Sequence, residues 1–196
     1  MEDFIYKESD YVKSKDLKIY TDLMLNYDFE PDGIEDEEEF NWVLQYLVSL
    51  TKKAPDFLQP YEIILSMLSH FEKDKEVVVL KEETQKQLQE ACYRIAEKHD
   101  VFNKQIEWGW HENRPLVRGL NFHADTLWKE GEVDKAYELF SKILKTNEND
   151  NIGARYSVKA TKGGMSHQEF ENRFTYSDKR GSYYKNEELS DWFEGV

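Results

Sequence analysis

Along most of the chain apolar residues return every three or four positions, the spacing that gives a helix one buried face. Between Phe4 and Tyr27 aromatics and charges mix, and Leu17, Tyr20, Leu23, Met24 and Tyr27 predict a first helix. Pro31, Asp32 and Gly33 predict a turn. The acidic run Glu35 to Glu39 that follows suits the positive end of a helix dipole. Phe40, Val43, Leu44, Leu47 and Val48 share one face of that helix, which should stop before Ala54 and Pro55. Phe57, Tyr61, Ile64, Leu65, Leu68 and Phe71 repeat the pattern after a short link, so the two helices should pack antiparallel. Val77 to Leu80 has the composition of a short strand. The sequence beyond it keeps helical register through Leu88, Ala91, Cys92, Ile95 and Ala96, so one long helix with an open start is expected.

The second half is punctuated more clearly. Asn113 suits the cap of a helix with Pro115 in its first turn and Leu116, Leu120, Ala124 and Leu127 on its buried stripe. Lys129 to Glu132 contains Gly131 and predicts a tight reversal into a helix carrying Ala136, Leu139, Phe140, Ile143 and Leu144. A third helix should begin near Asn151, carry Ala154, Tyr156 and Val158, and stop at Gly163-Gly164. Ser166 and Glu169 have capping-box spacing and predict a short helix, followed by a polar loop containing Gly and Tyr. A last helix should dock through Leu189, Trp192 and Phe193. The fold class is therefore all-α, a stack of antiparallel helical hairpins. It reads as one domain over 1–196, with N-terminal helices in 1–111, the clearest hairpin and its following helix in 113–162, and a closing segment in 163–196.

Composition narrows the functional classes. A formal charge of −14 over 196 residues argues against a general nucleic-acid binder, since phosphate neutralisation needs clustered Lys and Arg. MEDFIYKESD lacks the basic-then-apolar order of a signal peptide, and no window approaches eighteen uninterrupted apolar residues, so a cytoplasmic location and no membrane partner are expected. Cys92 is the single cysteine and falls on an apolar stripe, which predicts a buried thiol. No two of His70, His99, His111, His123 and His167 are spaced i, i+4, and no phosphate-binding glycine loop or nucleophile elbow is present. No metal, cofactor or catalytic residue is expected, and the chain reads as a non-enzyme.

From Leu120 to Asp150 the chain resembles a tetratricopeptide repeat, with Ala124 where helices approach closely, Leu127-Trp128 before the turn, then Gly131, Ala136, Phe140 and a polar turn at Glu148 to Asp150. Leu120 and His123 stand where the repeat has its customary Trp and Leu, and Glu148 stands at the usual terminal Pro. With Glu112 to Pro115 ahead and Asn149 to Asn151, Gly153 and Arg155-Tyr156 behind, the block is similar to divergent bacterial relatives of the suppressor-of-tumorigenicity tetratricopeptide-like family. The likeness covers about a quarter of the chain. It implies a short right-handed solenoid whose first helices line a concave groove for a partner peptide or protein.

In such a repeat the groove-facing positions would be Arg118, Asn121, Asp125 and Trp128, with Arg155, Lys159 and Lys162 added by the next helix. Residues 151–185 hold seven Lys or Arg against three Asp or Glu, an inversion of the chain's balance. Arg155, Lys159 and Lys162, with Asn121, are therefore expected to receive an acidic peptide or a terminal carboxylate. The competing readings are a solvated helix face for the cations and a packing role beside the turn for Trp128. Two other functions stay open: a self-associating structural subunit, and an enzyme with an unrecognised inter-helix pocket.

Overall fold

The computed structural model describes residues 2–26, 36–71, 75–178 and 181–195. These residues are mostly helical: α1 (Ser14–Asn26), α2 (Glu37–Lys53), α3 (Gln59–Met67), α4 (Lys75–Lys98), α5 (Arg114–Lys129), α6 (Val133–Thr146), α7 (Ala154–Lys162), α8 (His167–Phe174) and α9 (Asn186–Glu194). The expected turn at Pro31 to Gly33, with Tyr27 and Glu35, lies outside the described residues. Among those described, no helix is long and apolar enough to cross a membrane.

Each stripe buries the face its spacing predicts. Val43, Leu47 and Leu50 of α2 meet Ile64 and Met67 of α3, and α2 starts where Asp36 accepts a hydrogen bond from the Glu39 N–H at 2.8 Å. Val77 to Leu80 belongs to α4, whose Leu88, Ala91, Cys92 and Ile95 are buried against Leu116, Val117 and Leu120 of α5. A Cβ built on Gly119 would stand 2.2 Å from the Cys92 sulfur, so the lack of a side chain there sets how closely α5 approaches α4.

Two stretches differ from expectation. The polar loop after α8 is an antiparallel hairpin of β1 (Thr175–Asp178) and β2 (Gly181–Tyr184), with Thr175 opposite Tyr184 and Tyr176 opposite Tyr183. The Tyr176 and Tyr183 rings lie 5.6 Å apart, the kind of cross-strand aromatic pair that holds a short ribbon together. Asn113 does not cap α5 with its side chain. It is fully buried and serves the N-terminal segment instead, accepting from the Tyr6 N–H (2.8 Å) and donating to the carbonyls of Phe4 and Glu107 (both 3.1 Å).

That segment is extended rather than helical. The Phe4 N–H donates to Gln105 and the Gln105 N–H to Glu2, and the Tyr6 hydroxyl donates to the Asp56 carbonyl while accepting from the Leu58 N–H. Phe4 and Tyr6 join a cluster built mainly by α4 to α9, with Leu58 and Tyr61 at the start of α3, whereas α1 to α3 and the start of α4 enclose a second cluster around Leu47, Leu50 and Phe57. Tyr11 packs against both clusters and stacks on Tyr6 at 4.8 Å.

Candidate functional site

α7 begins where it does because Asp150 supplies its cap. In a left-handed backbone conformation (φ 45°), the Asp150 carboxylate accepts from the N–H groups of Ala154 (2.6 Å) and Arg155 (3.2 Å). The same carboxylate, buried, takes the Arg155 guanidinium at 2.8 Å. Arg155 also donates to the Tyr156 hydroxyl at 2.9 Å and lies 4.4 Å over that ring. Hydrogen bonds with Ser190 and then Arg155 pull the Tyr156 hydroxyl below its ordinary value, because both stabilise the phenolate.

One turn on, the Lys159 ammonium donates to the carbonyls of Trp192 and Phe193 (2.5 and 2.8 Å) and sits 4.8 Å over the Trp192 ring. These carbonyls belong to the last turn of α9, the negative end of that helix. Arg155 and Lys159 thus hold the chain's own C-terminal helix. Lys162 is exposed at the end of α7.

The α5 positions separate in the same way. Arg118 pairs with Glu62 of α3 at 2.9 Å and lies 5.4 Å from the Trp108 ring. Seven residues, or about 10 Å of helix, carry it away from Asp125. Trp128 is in the core at 2 % exposure, its Nε1–H donating to the Met165 carbonyl (2.8 Å) and its ring edge-on to Phe140 and His167. A ring with a single N–H donor is well used in such a place, since one carbonyl satisfies it. Only Asn121 and Asp125 remain on a concavity.

That concavity has a volume of about 560 Å³ and lies between α5, the start of α7, α8, β2 and α9. Asn121 and Asp125 line it from one side, His167 and Glu171 from α8, and Tyr184 from β2. Asp125 bonds Lys129 (2.5 Å) through one oxygen and approaches His167 Nε2 at 3.2 Å through the other. Burial first, then the negative charges of Glu171 and Asp125, push the Tyr184 hydroxyl above its ordinary value, so both carboxylates act at one point of the wall. The Asn121 Oδ1 is buried without a hydrogen-bond partner.

His167, Glu171 and Tyr184 join these α5 residues without a sequence motif that groups them. His167 and Glu171 are spaced i, i+4 on α8, so their shared face was available as a signal once that helix was expected. Tyr184 reaches the cavity through the hairpin, where composition predicts only a polar loop. Chemically the arrangement offers two carboxylates, an imidazole, a phenol and an amide over aromatic walls. Among the described residues no hydroxyl or thiol hydrogen-bonds to His167.

Fold and site define a mostly helical protein that folds its C-terminal segment over its own helical face and leaves an amphipathic cavity beneath. Comparison with protein-family models, with curated proteins and with solved structures finds no match.

Proposed function

We propose that the chain is a non-catalytic recognition module of tetratricopeptide-like type, acting in the cytoplasm, and that its cavity takes a segment of a partner protein. The cavity of about 560 Å³ carries this reading. It falls within the range of roughly 300–1,000 Å³ usual for binding sites, and it combines aromatic walls with a few convergent polar groups. It also contains Asn121 and Asp125, two of the α5 positions that the family resemblance places in a groove. The partner contact belongs to this cavity rather than to Arg155 and Lys159, which already have partners in Asp150, Tyr156 and α9. Peptides selected from a displayed library on the intact chain provide the test. Ser157, a half-buried cavity residue on α7, is replaced by Trp to fill the space, with the fold checked by circular dichroism. The selected peptides should lose at least about tenfold in affinity, roughly 1.4 kcal/mol. Undiminished binding to Ser157→Trp sinks the reading.

A second reading has one observation in its favour. The Asp125–His167 pair has the geometry in which a carboxylate orients an imidazole for proton transfer, as an inter-helix enzyme pocket would require. Turnover lost on His167→Gln with the fold intact would favour it.

A further inference from the structure

We infer that the cavity receives a cation, the ammonium of a lysine or the guanidinium of an arginine, in preference to an acidic or a purely apolar side chain. This rests on the recognition reading and adds the chemical class of the ligand.

The charged groups lining the space are Asp125 and Glu171 against Lys129, with His167 beside Asp125. Lys129 is spent on Asp125, and its side chain is 56 % exposed, so it forms part of the rim. Among the described residues Glu171 has no ion-pair partner, and its negative charge acts on the Tyr184 phenol beside it. A carboxylate offers about four lone-pair sites, so one phenol leaves Glu171 with acceptor capacity to spare. With Asp125 answered by Lys129 and His167, Glu171 is the carboxylate of the lining that favours an incoming positive group and repels a further carboxylate.

The walls add the second component. Phe122, 44 % exposed, opens onto the cavity together with Tyr156 and Tyr184, and an aromatic face attracts a cation within about 6 Å. The chain already uses this chemistry beside the cavity. Arg155 lies over Tyr156 at 4.4 Å and over Phe193 at 5.9 Å, and Lys159 lies over Trp192 at 4.8 Å. Arg155 covers the Tyr156 ring, so the rings that an incoming cation can meet are Phe122 and Tyr184. Asn121, whose Oδ1 is buried without a hydrogen-bond partner, also borders the space. At long range the net charge of −14 draws basic segments toward the protein.

The test uses the intact chain and four blocked pentapeptides with arginine, lysine, glutamate or norleucine central between glycines, together with free agmatine. Binding is read from amide shifts of Asn121, Phe122 and Asn186. The arginine and lysine peptides should bind at least about fivefold more tightly than the other two, and more weakly as salt rises. Glu171→Gln, which keeps the shape of the side chain, should remove most of that preference. Phe122→Leu should weaken both cationic peptides and leave the glutamate peptide unchanged. Equal binding of the glutamate peptide, or a preference untouched by Glu171→Gln, overturns the cation assignment. If library-selected peptides still need an open cavity in that case, the recognition reading survives without it. Agmatine binding with the same dependence on Glu171, while no peptide binds, upholds the cation site and overturns the partner-protein reading. No shift with any of the five probes overturns the assignment.

Discussion

His123 shows how much a single side chain can say about its surroundings. Its ring packs edge-on to Tyr93 at 5.6 Å, and its Nδ1 is buried without a partner. Burial lowers its affinity for a proton below the ordinary value of 6.5, with Glu130 and Glu90 opposing more weakly. In the window between 6.5 and the lower folded value the unfolded chain binds more protons than the folded one, so His123 makes stability fall as pH falls through that window. His123→Phe should therefore show a smaller drop in Tm between neutral and mildly acidic pH than the wild type. Titration of the wild-type ring followed by NMR should give a midpoint under 6.5, and a midpoint at or above it contradicts the burial described. Spacing alone had less to offer at this scale. Arg155 and Lys159 lie on one face of α7 whether that face meets solvent, a partner or α9, and a four-residue interval is the same in each case. Asn121 and Asp125 line the cavity, whereas Arg118 and Trp128, which the family resemblance groups with them, meet Glu62 and the core, so helical spacing alone does not separate the four.

Among the elements, the contact of α4 with α5 is governed by one missing methyl group. Ala has the better helix propensity by about 1 kcal/mol, so Gly119→Ala would stabilise an unobstructed helix. With Cys92 Sγ 2.2 Å from the new Cβ, overpacking should dominate and give a net loss of about 1–3 kcal/mol in urea denaturation. Removing the obstacle reverses the sign of the effect. In a Cys92→Ala background the same change should cost much less or stabilise, and the resulting coupling energy distinguishes a local clash from a general loss of packing. Additive single and double variants would rule out the contact. The helices themselves were readable from sequence, since stripes such as Phe40 to Val48 and Ala136 to Leu144 repeat at 3.6 residues for two turns or more. The hairpin was not. Its strands are four residues each, too short for alternation to stand out, and Gly181 beside polar residues has the composition of any loop. Nothing local in the sequence marks the extended segment at Phe4 and Tyr6, since the partners of Tyr6 lie 50 and 107 residues away.

At the level of the whole molecule, two hydrophobic clusters meet at Tyr11, and beside that seam Asn113 fastens the segment of Phe4 and Tyr6 to the start of α5. Asn113→Ala would leave the Tyr6 N–H and the Phe4 carbonyl without their partner in a fully buried place. A loss of about 2–4 kcal/mol is expected, since each orphaned buried group costs roughly 1–3 kcal/mol. Hydrogen exchange should show faster opening both at residues 4–6 and at the start of α5. Protection lost at only one of these would mean that Asn113 does not tie them together. The seam also determines when the fold can be finished. Tyr6 waits for a residue 107 positions later in the chain. At a synthesis rate of about 5–20 residues per second, the first part of the core spends roughly 5–20 s outside the ribosome before its main-chain donor is satisfied. During that interval α1 to α3 can close around their own cluster, but Phe4 and Tyr6 have no pocket to enter. The N-terminal segment therefore cannot be locked in place until Asn113 has cleared the exit tunnel, and a pause in translation just before that point would prolong the exposure of Phe4 and Tyr6.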